Sequence, residues 1–339
     1  MTGLLTLTDE QRKAVIDEAE QISGIAARAI EKDWWITLVL KALFQSKYKD
    51  DMVFKGGTSL SKGWDLIARF SEDIDIALDP KAFDMKYKEN PTKSFVDKLK
   101  KAGCSFTSNE LNVELKRQLL SLGTPNDAVE VIAADVPANF PDTDPQTLFV
   151  RYKSLYDHND YLKAEVKVEV SVRSLLFPFT KKPLQSLLNQ INPKDFYSEA
   201  SFDVDIVAPR KTFIEKMFLL HEEFGKPDAS KIRSQRMSRH LYDIYKMSQT
   251  NILDEVLSDH ALFEMLLQHR EWYSRISRVD YKGMVHTDIA FIPVEQVLLD
   301  YRNDYDAMME QMIYEQDPPS FDTMIANLAQ LQSRVRSKN

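Results

Sequence analysis

The stretch Lys55-Gly56-Gly57-Thr58-Ser59-Leu60-Ser61-Lys62, followed by Arg69-Phe70-Ser71-Glu72-Asp73-Ile74-Asp75, carries residue types that can handle phosphate. Two adjacent glycines let a backbone turn tightly and approach a ligand with no Cβ in the way. A helix entered through such a turn offers unpaired N–H groups in its first turn, here with the Thr58 and Ser59 hydroxyls beside them, which suits an anion. Asp73 and Asp75 lie two apart in an alternating segment, so on a strand they share one face at ~6–7 Å. Paired carboxylates of this kind hold hard divalent cations, and Mg²⁺ suits them best because it prefers carboxylate, water and phosphate oxygens. Two metal ions beside a triphosphate form a clamp for in-line displacement. Gly-Gly-Thr alone is common at ordinary turns, and Asp-Ile-Asp alone fits an edge strand with a wet face. In this order, with strand, turn, helix and strand around them, they read as phosphate chemistry on a nucleotide.

The surrounding elements must hold these pieces together. Thr8 and Gln11 have capping-box spacing, and Val15, Ile22, Ile25 and Ala26 follow at helical intervals. They predict a helical segment to about Ser46 with a break near Gly24. Met52 to Lys55 reads as a strand, Gly56-Gly57 as a sharp turn, and Ser59 to Arg69 as a helix through Leu60, Trp64 and Ile67. Asp73 to Leu78 is again strand-like. Further on, helices are expected over Thr92 to Ala102 and around Asn109 to Leu122. From Tyr161 to Val172 the valines 166, 168, 170 and 172 alternate with Glu165, Lys167, Glu169 and Ser171, the mark of a half-buried strand. From Pro209 onward the pattern is almost wholly helical. The expected fold is α/β (α+β), a small mixed sheet core followed by a largely helical C-terminal lobe, divided as residues 1–205 and 206–339.

Composition excludes several classes. With 339 residues, 43% hydrophobic and 28% charged, the chain is an ordinary globular sequence, and 9 glycines with 14 prolines rule out collagen-like or linker-dominated readings. The apolar run Trp34 to Phe44 is broken by Thr37 and Lys41 and falls short of the ~20 residues a bilayer requires. Met1-Thr2-Gly3-Leu4 lacks a basic n-region, so no membrane association and a cytoplasmic location are expected. Cys104 is the single cysteine, which leaves no internal disulfide and no Cys-based zinc site. The net charge of −8 speaks against an overall basic surface without excluding a local basic groove.

The glycine turn with its Asp-x-Asp resembles motif I of the nucleotidyltransferase (polymerase-β-like) superfamily. More narrowly, it resembles the AbiEii/AbiGii toxin family of type IV toxin–antitoxin systems, which takes in the MenT-type toxins. Four further segments carry the narrower resemblance: Glu31-Lys32-Asp33-Trp34-Trp35; Glu165-Val166-Lys167-Val168-Glu169-Val170-Ser171; Thr212-Phe213-Ile214-Glu215-Lys216 with Leu220-His221-Glu222; and Arg239-His240-Leu241-Tyr242-Asp243-Ile244-Tyr245. The match spans about residues 30 to 250. Fourteen residues separate Thr58 from Asp73, more than in compact members of the superfamily, and an extra helical turn is expected to absorb them.

The resemblance implies a Mg²⁺-dependent enzyme that moves a nucleoside monophosphate from an NTP to an acceptor, the tRNA 3′ end in toxins of this type, under control of a separate antitoxin. Asp73 and Asp75 would be metal ligands. Glu169 would be the third carboxylate, ligating metal and polarising the attacking hydroxyl, with Glu165 on the same strand face as the alternative. Lys216 would neutralise triphosphate charge, and Asp243 would position Lys216 or a substrate group. Gly56, Gly57, Thr58 and Ser59 would hold phosphates, while Arg69 and Ser71 would contact nucleotide or orient Asp73. Other readings stand beside these. A protein or small-molecule hydroxyl is an alternative acceptor, and a non-catalytic nucleotide- or partner-binding protein of the same fold is the alternative class. Glu215 and Lys216 also suit an exposed helix face, and Asp243 also suits an i,i+4 ion pair with Arg239. His221 and His240 are read as capping or packing residues, and Trp34 and Trp35 as core. The basic run Lys231 to His240 reads as a solvated face or as a guide for RNA phosphates.

Overall fold

The structure is a computed structural model and describes residues 3–156 and 163–337. The capping box forms: the Thr8 hydroxyl accepts from the Gln11 N–H at 3.2 Å and the Gln11 side chain accepts from the Thr8 N–H at 3.0 Å. It opens α1 (Asp9–Ser23), which ends at Gly24 in the left-handed region, φ 73°. The next helix, α2 (Ala27–Phe44), is buried along its length except at Arg28 and Lys41. Its hydrophobic residues supply a continuous core, and Glu31, Lys32 and Asp33 are buried with them.

A mixed sheet of seven strands follows, in the order β3-β4-β5-β2-β1-β7-β6. The strands are β1 (Met52–Lys55), β2 (Asp73–Leu78), β3 (Val129–Ala133), β4 (Gln146–Tyr152), β5 (Glu165–Ser171), β6 (Phe179–Leu184) and β7 (Phe202–Val207). β2 sits centrally, antiparallel to β1 and parallel to β5. Between the strands lie α3 (Gly56–Lys62), α4 (Lys93–Phe106), α5 (Asn112–Ser121) and α6 (Leu187–Ile191). The second part is helical: α7 (Pro209–Phe224), α8 (Ser238–Ser248), α9 (Ile252–Ser258), α10 (His260–Tyr273), α11 (Leu298–Gln311) and α12 (Phe321–Ser337). The chain thus has the mixed α/β fold with a helical C-terminal region.

By contact the chain divides into two compact units. The first comprises residues 1–63 and 70–207, the second residues 64–69 and 208–339. In the first, α2 packs against β2, β5 and β7. Trp34 and Trp35 are core residues there, and Trp35 stacks on Tyr152 at 4.7 Å.

Several elements differ from the sequence expectation. The helix read as Ser59 to Arg69 is α3, which starts at Gly56 and stops at Lys62. Gly63 follows it where a Cβ would stand 2.5 Å from Ile206 Cδ1, and Asp65 takes φ 52°. The extra residues before Asp73 therefore add no helical turn. They make an excursion, Trp64–Arg69, that belongs to the second unit. Ile67 is buried there, so its helical spacing from Leu60 and Trp64 reflects a different core. α4 begins at Thr92 as N-cap but runs on to Phe106, and a π-helical turn, Thr107–Leu111, leads into α5. β3, β4, β6 and β7 are strands that the sequence reading passed over. Of the alternating segment read from Tyr161, the positions 161 and 162 lie outside the described residues.

Candidate active site

β2 and β5 lie side by side in parallel register, with Asp73 opposite Lys167 and Asp75 opposite Glu169. Residues opposite one another project from the same face of a sheet. Ile74, Ile76, Val166, Val168 and Val170 take the other face and are buried, which is why the charged residues occupy this one. Across β1, Lys55 stands opposite Asp75. The carboxylates Asp73, Asp75 and Glu169 therefore share a face with two lysines. Lys167 forms an ion pair with Glu169. Burial would by itself lower the pKa of the Lys167 ammonium, but Glu169, Asp73 and Asp75 outweigh it and hold the group above its ordinary value. Glu165, the alternative third carboxylate, is on the same strand and pairs with Arg151 at 3.5 Å.

The glycine turn is built against this face. Gly56 has φ 78°, and a Cβ placed on it would stand 2.0 Å from Asp75 Oδ2. Asp75 thus occupies the space that the missing side chain leaves. Thr58 donates to the Asp73 carbonyl and lies 2.8 Å from Ser71 Oγ, while Ser59 Oγ donates to the Gly56 carbonyl at 2.8 Å. The Thr58 hydroxyl thus staples α3 to the start of β2, while that of Ser59 closes the first turn of α3. A phosphate at this turn would meet backbone N–H groups more readily than the two hydroxyls.

Buried charges on α2 fix both flanks of the turn. Lys62, at the end of α3, pairs with Asp33 at 2.5 Å, and Asp33 also accepts from the Leu187 N–H at 2.6 Å. Glu72, beside Asp73, pairs with Lys32 at 3.0 Å. Glu31 accepts from Ser154 Oγ at 2.6 Å and from the Leu155 N–H at 2.8 Å. Three successive charged residues of a core helix thus each hold a different segment.

Among the described residues no group of three His, Cys, Asp or Glu side chains is drawn together as a ready metal site. Asp73 and Asp75, with hard oxygen donors and the bare Gly56 beside them, do suit a divalent cation held by two carboxylates. Glu169 shares their face with Lys167 on its carboxylate.

Arg69, Lys216 and Asp243 belong to the second unit. Asp243, on α8, is wholly buried, and Arg69 and Lys216 are nearly so. Arg69 grips Asp243 with two donors, Nε to Oδ1 at 2.7 Å and Nη2 to Oδ2 at 2.8 Å. Lys216, on α7, reaches Oδ2 at 2.9 Å and lies 3.2 Å from His240 Nδ1. Burial alone would raise the Asp243 carboxyl, but Arg69 and Lys216 hold it well below the usual carboxylate range. Burial, aided by Arg69 and Arg239, pushes the Lys216 amine below its ordinary value against the pull of Asp243. Lys216 is therefore no surface decoration, and the Arg69 guanidinium donates to both oxygens of Asp243. His221 Nδ1 accepts from the Ala290 N–H at 3.1 Å, a packing role. In the basic run, Lys231 pairs with Asp228 at 3.4 Å and Arg233 with Glu223 at 3.0 Å.

The profile of the family described as nucleotidyl transferase AbiEii toxin, type IV TA system, matches residues 38–327, most of the chain. The chain belongs to that family. A comparison with curated proteins finds no match. As an AbiEii-family member, the protein is a nucleotidyltransferase toxin, a phosphorus-transferring enzyme whose family implies an NTP substrate and an antitoxin partner. Among the described residues no helix is long and apolar enough to cross a membrane. The AbiEii profile extends well past residue 250, into the helical region where no motif was read. Lys167 and Lys55 are residues at these sites that sequence reasoning left without a role, and His240, read there as capping or packing, lies against the Lys216 amine. The alternation along β5 already put Lys167 on the face of Glu169, so its placement was readable. His240 had no comparable signal.

Proposed function

We propose that the protein transfers a nucleoside monophosphate from an NTP to the 3′ end of tRNA, with Mg²⁺ held by Asp73 and Asp75. What supports this reading most is the fit of Asp75 into the space beside Gly56, which makes the glycine turn and the Asp-x-Asp strand one construction. Bound Mg²⁺ would neutralise triphosphate charge and favour ionisation of the attacking hydroxyl. In the transfer, the acceptor 3′-oxygen bonds to the α-phosphorus, the bond from that phosphorus to the bridging oxygen breaks, and pyrophosphate leaves. Glu169 takes the hydroxyl proton, which requires its carboxylate to give up Lys167. Gly56 and Gly57 let the backbone approach the phosphates, with Thr58 and Ser59 bracing the turn and Ser71 bracing Thr58. Lys216 offsets charge on the triphosphate, and Asp243 positions it.

The test incubates wild type, Asp73→Ala and Asp75→Ala with total tRNA, Mg²⁺ and each α-labelled NTP in turn. Label in tRNA with the wild type alone is the expected result and also gives the base preference. Pyrophosphate release that requires a protein or small-molecule acceptor would retain the chemistry and discard tRNA. No transfer to any acceptor would favour a nucleotide- or partner-binding protein.

A further inference from the structure

The excursion Trp64–Arg69 lies in sequence between α3 and β2, both of the first unit, yet belongs to the second. Its end is pinned by backbone: Ala68 O accepts from the Tyr314 N–H at 3.1 Å, and Arg69 forms an antiparallel bridge with Ile313. From this anchored position the Arg69 guanidinium, 1% exposed, sends a two-pronged grip into α8 and takes both oxygens of Asp243. Lys216 is left to share Oδ2 with Arg69 Nη2. A planar fork fixes a carboxylate in orientation as well as place, which a single ammonium cannot do.

We infer that Arg69 is a positioning residue for Lys216: it fixes the Asp243 carboxylate by both oxygens, so that the lysine amine is aimed from Oδ2 and carries only part of that carboxylate's charge. The inference rests on the reading of Lys216 as the group that meets the triphosphate. The charged and titratable groups facing the amine are Asp243, His240 and Arg239 from α8 and Arg69 from the excursion. Burial and the neighbouring cations Lys216 and Arg239 keep His240 neutral, so its Nδ1 can accept from the ammonium. Asp243 and His240 then take two of the three lysine donors, and the third remains for an anionic ligand. With Arg69 present, Asp243 is divided between two cations and binds the lysine less tightly than it would alone. Lys216 is thereby held in place without being locked to its own carboxylate.

The test measures the pH dependence of Lys216 acetylation, by competitive labelling with acetic anhydride and mass spectrometry, in the full-length wild type, Arg69→Gln and Arg69→Lys. Steady-state NMP transfer is followed in parallel. Arg69→Gln removes a like charge and gives Asp243 to Lys216 alone, so the amine is expected to titrate higher by about 1 unit or more. The alkaline limb of turnover should move with it. Arg69→Lys keeps the charge and loses the fork. It is expected to leave the titration near that of the wild type while turnover drops about tenfold, the cost of a misplaced group near a reacting centre. A folded Arg69→Gln in which Lys216 titrates as in wild type would overturn the inference, as would full turnover in Arg69→Lys. If Arg69→Gln fails to fold, the Arg69→Lys turnover alone decides. Failure of the functional reading looks different. In that case the wild type transfers nucleotide to no acceptor, while Arg69→Gln still shifts the lysine.

Discussion

Lys167 and Glu169, two positions apart on β5, form an ion pair on the face that also carries Asp73 and Asp75. The ammonium lies in the field of three carboxylates and is held protonated by them. Three anions gathered on one sheet face repel one another, and Lys167 is the counter-charge built into the fold for them. A divalent cation bound at Asp73 and Asp75 would serve the same end.

That substitution of one counter-charge for another gives the first prediction. Lys167→Met should have a lower melting temperature than wild type in the presence of a chelator, because the carboxylates lose their compensating charge. Mg²⁺ should then raise the melting temperature of the variant more than that of wild type, by an extra amount on the order of 2–4 °C, since it stabilises the folded state only. Differential scanning calorimetry with EDTA and with Mg²⁺ measures both. An equal Mg²⁺ gain in the two proteins would show that Lys167 does not stand in for the cation.

Gly56 gives the second prediction. Its φ of 78° is strained for any residue with a Cβ, and that Cβ would collide with the Asp75 carboxylate. Gly56→Ala should therefore cost about 1–2 kcal/mol from backbone strain alone. It should also abolish nucleotide transfer, because Asp75 must move. The same change at Gly24, also at positive φ but with nothing within 4 Å of its Cβ, should cost the strain and leave transfer intact. Urea denaturation and the labelling assay separate the two effects.

How far the sequence revealed these arrangements depended on the distance over which each is determined. β1, β2 and the opening of α1 are set by neighbours: the alternation of Asp73 to Leu78 and the Thr8–Gln11 capping box are complete within a few residues. The strand-turn-helix-strand unit was legible for that reason. β7 carries a comparable alternation, with Val204 and Ile206 buried and Asp203 and Asp205 alternating with them, yet it was passed over: the partner along its length is β6, itself hard to read, and the partner on its other side, β1, is remote in sequence. β6 contains Pro183 and two lysines, which argue against a strand in isolation but suit an edge strand. Arg69 was least legible. Standing just before Ser71 and Asp73, it suggested a ligand contact, whereas its partner Asp243 lies 174 positions away. Asp243 in turn invited pairing with Arg239 by local spacing, while in the structure it pairs with Arg69 and Lys216. Buried ion pairs between distant segments leave no periodic trace.

The buried pair of Asp33 and Lys62 gives a third prediction. Both side chains are about as enclosed as core residues, and Asp33 also receives the Leu187 N–H. Removing one partner of such a pair strands a charge in the interior, which costs about 3–5 kcal/mol. Asp33→Ala should be destabilised by that amount, whereas Lys13→Ala, which loses an exposed pair with Asp17, should change stability by less than about 1 kcal/mol. Equilibrium unfolding in urea measures both variants.

The last prediction follows from Asp243. Its carboxyl is held well below its ordinary value of 3.8 by Arg69 and Lys216, despite full burial. A carboxyl whose pKa is depressed on folding stabilises the folded state above its unfolded pKa, and that stabilisation is lost as pH falls toward the folded pKa. The contribution should be complete above about pH 5 and should decline from about pH 4 downward, at a slope approaching 1.4 kcal/mol per pH unit for one proton. Asp243→Asn has no proton to take up, so its unfolding free energy should be lower than that of wild type at neutral pH. The gap should narrow as the medium is acidified. Urea unfolding curves between about pH 7 and pH 3 test this, read from a probe in the helical region such as the hydrogen exchange of α7 and α8 amides. A gap that stays constant across that range would mean that the Asp243 carboxyl titrates alike in the folded and unfolded protein, so that Arg69 and Lys216 do not favour its ionised form.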